Sequence, residues 1–420
     1  MRIKILIINI VIFLLFSVDT FGQIFLPPVS SPIVKKVSIY VSTLNSVGTP
    51  TKSGKEFTDV LTSDLKNAAL FEVVSGSVMP SSEKDIDFEG LFQKGVDYLV
   101  AGQFQSQSGT TTYAVRVFNV KQKRPILGRN YEASSGNVRK AAHKFANLIL
   151  ESLTGIEGFF TYRIAYVLGS NQNRNIYMMD YDGKNISQLT KHNTVVLSPN
   201  CSTDGRKIVF NSDKYWDQDL YVLDLIPRLR ERRITKGFKL DQSAEWSPNS
   251  SRLAFSRSGD LYIATADGKG LNRLTNSYAI EVSPSWSPDG KQIAFVSDKT
   301  GSPQIYVRDV FGGNTRQITN SGYNTDPSWS TNKSINRIAF VRVEGSGSNI
   351  YSINPDGSDE QQLTSTGRNE TPSWSPDGHY ITFSSTKGGA KDIYIMYLNG
   401  ENQRKLSSGG GKTFPTWCKN

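Results

Sequence analysis

A unit of forty-odd residues recurs six times from residue 163 to the end of the chain. Its clearest copy opens Pro284-Ser285-Trp286-Ser287-Pro288-Asp289-Gly290, continues Gln292-Ile293-Ala294-Phe295-Val296-Ser297 and Gln304-Ile305-Tyr306-Val307, and closes at Gln317-Ile318-Thr319. Self-similarity at this period means a propeller or another repeat array, because no single unit can bury its apolar face alone. It also makes every repeated Trp or Asp-Gly a structural residue first.

Trp246, Trp286, Trp329, Trp374 and Trp417 hold one place in the repeat, with gaps of 40, 43, 45 and 43 residues, and Cys201 holds it in the remaining copy. Thr190, Thr235, Thr275, Thr319, Thr364 and Ser407 mark the other end of each unit. Within a unit lie four short extended runs, such as 243–246, 252–256, 260–263 and 271–275, separated by Pro-Asp-Gly and Asp-Gly segments suited to tight hairpins. Four strands joined by three hairpins make one propeller blade. No long helical pattern interrupts them, which excludes a βαβ sheet.

The ends of the array fit each other. The first copy begins at Arg163-Ile164-Ala165-Tyr166-Val167 without a preceding Trp strand, and the chain ends on a lone one, Thr413-Phe414-Pro415-Thr416-Trp417. The C-terminal strand should therefore complete the first blade and close a six-bladed ring over residues 156–420. Closure removes the open sheet edges that would otherwise invite aggregation.

Residues 1–22 read as a secretory leader: Arg2 and Lys4 are followed by an apolar run from Ile5 to Phe16, short for a membrane span, and Thr20-Phe21-Gly22 offers a cleavage site. An uncleaved anchor is the alternative. Residues 23–32 are extended and proline-containing, either a linker or a strand that docks a partner. Residues 33–155 are not repetitive. Alternation at Val37, Ile39 and Val41 predicts a strand, and Phe57, Val60, Leu61, Leu65 and Ala68 follow a helical period, as do Val138, Ala141, Ala142, Phe145, Leu148 and Ile149. Further strands around 96–104, 111–120 and 126–132 complete a small α/β domain.

Charge narrows the function classes. The net charge of +10 is mild for 420 residues, and the densest basic run, Arg228 to Arg233, falls where other blades have a hairpin. That is a solvated turn and not a nucleic-acid footprint. No later stretch is apolar enough to span a bilayer. Cys201 and Cys418 lie on first strands that ring closure makes neighbours, so they form either a disulfide staple or two buried thiols.

Catalytic motifs are missing. The chain has no G-x-S-x-G elbow, no H-E-x-x-H pair and no Cys/His ligand cluster. His143, His192 and His379 are far apart and are read as ordinary surface or turn histidines. Asp180-Tyr181-Asp182-Gly183 begins like a calcium loop but lacks the later ligands, so turn chemistry accounts for it. The repeated Trp residues serve packing before sugar stacking. Variable loops on a rigid scaffold are where function is placed. Here they are the inter-blade and second-hairpin segments carrying Tyr215, Trp216, Asp241, Glu281, Asp326, Arg368 and Glu370.

Taken with the leader, the α/β domain, the six blades and the terminal Phe-Pro-Thr-Trp, the join from Thr154-Gly155-Ile156-Glu157-Gly158 to Phe159-Phe160-Thr161-Tyr162-Arg163 resembles the TolB family, periplasmic components of the Tol–Pal envelope system. The resemblance spans the mature chain. It implies a monomeric, non-enzymatic periplasmic adaptor without cofactor or metal. Such an adaptor binds the peptidoglycan-associated lipoprotein Pal through a propeller face and TolA through its N-terminal segment. It supports outer-membrane integrity and constriction at cell division, and colicins exploit it for import. The TolA segment would fall at Gln23, Ile24, Phe25 and Leu26, and the Pal face on the loops just named. Cys201 and Trp417-Cys418-Lys419 depart from the family pattern. The competing readings are a secreted propeller lyase or glycosidase using Asp241, Glu281 and Asp326, and a glycan-binding module.

Overall fold

A computed structural model describes residues 36–48, 52–76, 83–237 and 239–419. The expected leader and the segment 23–32, with Gln23, Ile24, Phe25 and Leu26, lie outside the described residues.

The N-terminal part is a six-stranded sheet of β1 (Val37–Ser42), β2 (Asn45–Ser46), β3 (Phe71–Gly76), β4 (Tyr98–Gln107), β5 (Thr110–Asn119) and β6 (Arg124–Ser134). The strands run in the order β3-β1-β4-β5-β6, with β2 beside β4; β1 is parallel to β3 and β4, β2 is parallel to β4, and β4–β5 and β5–β6 pair antiparallel. Helices α1 (Lys52–Asn67) and α3 (Val138–Thr154) cover one face and bury Phe57, Leu61, Leu65, Phe145 and Ile149 against Ile39, Val100 and Val115. A short helix, α2 (Phe88–Gln93), shields the other face over Leu99, Ala101 and Phe118. Gly155 stops α3 in the left-handed conformation at φ 73°, its N–H donating to Glu151 O at 2.9 Å.

From Arg163 onward the chain forms six four-stranded antiparallel blades. The last strand, Lys412–Cys418, pairs with Arg163–Ser170 in the register Thr416–Ala165, Trp417–Ile164 and Cys418–Arg163, so the C-terminus closes the ring as expected. The fold is a six-bladed propeller with a small α/β domain.

The repeated residues hold each blade together. All five repeated tryptophans are buried. The closing hydroxyl of every unit accepts an N–H of the third strand, at 2.8–2.9 Å: Thr190 from Ile176, Thr235 from Leu220, Thr275 from Leu261, Thr319 from Ile305, Thr364 from Ile350 and Ser407 from Ile393. It thereby ties the short outermost strand to its neighbour. The Ser-Pro-Asp-Gly turns are self-sufficient: Ser287 Oγ donates to Asp289 Oδ1 at 2.7 Å, and the same oxygen takes the Lys291 N–H. Cys201 and Cys418 form a disulfide with Cα atoms 5.3 Å apart, joining the closing strand to the second blade.

The α/β domain sits on the turn side of the sixth and first blades. Phe159 and Phe160 are fully buried, and the Phe159 ring meets Tyr380 at 4.2 Å, Tyr181 at 5.4 Å and Trp417 at 6.2 Å. Tyr380 donates to Ala68 O at 2.8 Å. Tyr181 donates to Asp64, whose other oxygen lies 2.7 Å from His143 Nδ1. Burial raises the Asp64 carboxyl above its ordinary value. One continuous apolar core therefore runs from the domain into the ring.

Candidate functional site

In five blades the innermost strand starts at the inter-blade loop and ends in the first hairpin turn, which reads Ser-Pro-Asp-Gly in two of them; in the first blade it is the strand Lys412–Cys418. Inter-blade loops and second hairpins consequently share one face, and the turns share the other. The α/β domain occupies only the turn side, leaving the loop face uncovered among the described residues.

At the centre of the ring each innermost strand carries a β-bulge. The bulge places one residue per blade at positive φ, between 47° and 53°: Ser198, Ser243, Ser283, Asp326, Thr371 and Phe414. Proline follows in five of the six, at Pro199, Pro284, Pro327, Pro372 and Pro415. A bulge leaves one N–H outside the ladder, and proline has none to leave unpaired. These residues line a narrow central channel of about 130 Å³ with Asn200, Glu245 and Ser328. Glu245 Oε1 accepts the Ser285 hydroxyl and the Trp286 N–H, both at 3.1 Å, bracing one blade against the next. Burial pushes Glu245 up to about 8. Burial, with the Glu370 charge added, pushes Asp326 up to about 6.

Around the channel the loop face presents apolar side chains. Trp216 is 99 % exposed at the tip of the second-blade hairpin, beside Tyr215 at 54 %. Arg233 stacks over the Tyr215 ring at 4.9 Å and fixes its base. Leu240, Tyr278, Ile280 and Tyr323 continue the exposed series along the next three inter-blade loops. Leu240, Tyr278, Ile280 and Tyr323 are not among the positions expected from the sequence. An aromatic or aliphatic residue between the Thr that closes one blade and the Trp strand of the next is the signal available.

The other expected positions divide. Arg368 is exposed on the loop face, and Glu370 is held by Lys391 Nζ at 2.5 Å. Asp326 faces the channel. Asp241 and Glu281 require a correction. They are not loop residues but the first residues of innermost strands, and both are buried. Asp241 is clamped by Arg257 in a two-pronged pair at 2.6 and 2.8 Å, so its charge is spent inside the rim. The histidines differ from expectation too. All three are buried and each meets a carboxylate: His143 with Asp64, His192 with Glu231 at 2.7 Å, and His379 with Asp377 at 3.2 Å. A tertiary contact between distant segments leaves no spacing to read for the first two.

A nitrogen of His143 and one oxygen each of Asp180 and Asp182 lie within 4.8 Å of one another. Arg139 already pairs with Asp182, and Asn185 donates to Asp180 at 2.6 Å, so the group acts as a polar clasp between α3 and the first blade. No helix among the described residues is long and apolar enough to cross a membrane.

Comparison with known proteins agrees with this architecture. A family model described as the TolB beta propeller domain matches residues 150–420, and one described as the TolB amino-terminal domain matches 28–126. The "Tol-Pal system protein TolB" of Syntrophotalea carbinolica is 36 % identical over 170 residues, covering 39 % of this chain and 40 % of that protein. The protein of the same name from Desulfosudis oleivorans is 32 % identical over 259 residues, covering 58 % and 59 %. These matches thus span about half the length of the curated relatives. The crystal structure of TolB from Acinetobacter baumannii superposes with a TM-score of 0.81 at 25 % identity, covering 91 % of this chain and 97 % of that one.

Proposed function

The chain belongs to the TolB family, and from that premise we propose that it is a periplasmic, non-enzymatic adaptor of the Tol–Pal system. Its loop face binds the peptidoglycan-associated lipoprotein Pal, and its segment 23–32, through Gln23, Ile24, Phe25 and Leu26, engages TolA. In this role it supports outer-membrane integrity and constriction at division, and the same face is open to capture by colicins.

The observation that carries the reading is the contrast in exposure on the ring. The loop face displays Trp216, Tyr278 and Tyr323 around a polar channel mouth with Arg368 and Glu370 on its rim. Exposed aromatics on a rigid scaffold are the anchors that dominate protein interfaces. Two of the carboxylates near the channel are already engaged. Asp241 is locked to Arg257, and Glu245 braces Ser285 and Trp286. Asp326 lies on the wall without either as a free partner.

Calorimetry of the purified protein with the soluble peptidoglycan-binding domain of Pal tests the reading. Tight binding that Tyr215→Ala/Trp216→Ala weakens is expected. Absence of binding by the wild type, with turnover of an acidic glycan, would replace it with the enzyme reading.

A further inference from the structure

Outside the ring, β6 is the last strand of the domain sheet, and among the described residues nothing pairs with its outer edge. An antiparallel edge strand offers alternate N–H and C=O groups to any further strand. Side chains on a strand alternate, so Arg129 and Tyr131 both turn toward α3. On α3, Lys140, Lys144 and Leu148 form one stripe at successive turns. Together they line an open pocket of about 550 Å³ between strand and helix, continued by Asn147 and by Thr161 of the interdomain join.

The chemistry of this groove is one-sided. Three cations line it and no carboxylate does. Among the described residues none of the three makes an ion pair. Its floor is apolar: the Tyr131 ring packs edge-on to Phe145 at 6.2 Å, and its buried hydroxyl has no hydrogen-bond partner. Charges that merely guard a sheet edge sit on the strand itself. Here two of the three project from the helix, and the pocket between them has room for a side chain.

We propose that this groove binds an extended acidic segment of a partner protein. The segment adds a strand to the outer edge of β6, sets its carboxylates against Arg129, Lys140 and Lys144, and seats an apolar residue on Tyr131 and Leu148. Main-chain pairing supplies affinity and alternate side chains supply selectivity. The site lies on the α/β domain and is independent of the propeller face.

The probe is a blocked, fluorescein-labelled ten-residue peptide of alternating glutamate and valine, with a lysine–valine peptide as its counterpart. The full chain should bind the glutamate peptide, more weakly at high salt, and not the lysine peptide. Lys140→Glu/Lys144→Glu, two exposed changes, should weaken binding by about tenfold or more. Amide exchange over 126–133 should slow in the complex, and N-methylation of alternate peptide bonds should abolish binding. No binding by the wild type, equal binding by the charge-reversed variant, or equal binding of the N-methylated peptide would each overturn the proposal.

Discussion

The two faces of the propeller are built from the same strands and differ in what joins them. The turn face repeats. Its Ser-Pro-Asp-Gly hairpins satisfy their own hydrogen bonds, as Ser287 and Asp289 show, and part of it is buried beneath the α/β domain. The loop face does not repeat. It exposes Trp216, Tyr278, Ile280 and Tyr323 and leaves them without a covering element among the described residues. Where sequence recurs, each residue answers to its own blade. Where it does not, the residues are free to answer to something outside the molecule.

The strongest way to break that contrast is to open the ring. Removing Lys412–Cys418 strips the first blade of its innermost strand and deletes one end of the disulfide. The expected outcome is loss of the cooperative melting transition in circular dichroism, with both faces lost together. A truncated chain that still melts cooperatively would mean the ring does not need its clasp.

Two tryptophans sharpen the comparison, because they are chemically identical and differ only in place. Trp286→Ala empties a buried site between blades and should cost about 3–5 kcal/mol of stability, lowering Tm by roughly 10 °C. Trp216→Ala removes a fully exposed ring. It should leave Tm within about 1 °C while weakening the lipoprotein domain by about 2 kcal/mol or more. Thermal melts and calorimetry on the two variants should give opposite patterns. If Trp216→Ala destabilises the fold, its exposed place on the loop face is misread.

The legibility of the chain follows the same divide. The five tryptophans and the closing threonines recur, so their periods alone locate the blades, the count of six and the closing strand. The work of those threonines leaves no mark in the sequence, since Thr319 receives the Ile305 N–H from across the hairpin. Asp241 and Glu281 misled because a polar residue after a loop looks exposed; Arg257 reaches Asp241 from the neighbouring strand, a contact 16 residues away. Tyr278 and Ile280 are not legible in the sequence, because a loop's apolar residue carries no periodic mark. His143 and Asp64 meet across 79 residues, beyond any spacing rule.

Smaller effects test the scaffold in finer detail. Thr319→Val keeps the shape but withdraws the hydroxyl that takes the Ile305 N–H at 2.9 Å and donates to Gln304 Oε1 at 2.8 Å. A cost of about 1–3 kcal/mol is expected by denaturant unfolding, with partner binding unchanged in the folded protein.

The smallest expected effect comes from the channel wall. Glu245 is raised from 4.5 to about 8 by burial, so folding favours its protonated form. The stability tied to that proton is complete below pH 4.5 and is lost as pH rises through about 8. Glu245→Gln should therefore raise Tm by roughly 2–4 °C at pH 9 and leave it unchanged at pH 4. Equal shifts at both pH values would show that the carboxyl is not buried in the ring.

The central claim, that recognition belongs to the non-repeating face, is tested most directly by hydrogen–deuterium exchange with and without the soluble domain of the peptidoglycan-associated lipoprotein. The account predicts protection confined to segments 213–217, 277–281 and 320–326, with the Ser-Pro-Asp-Gly turns unchanged. Protection centred on those turns, or none anywhere on the ring, would contradict it.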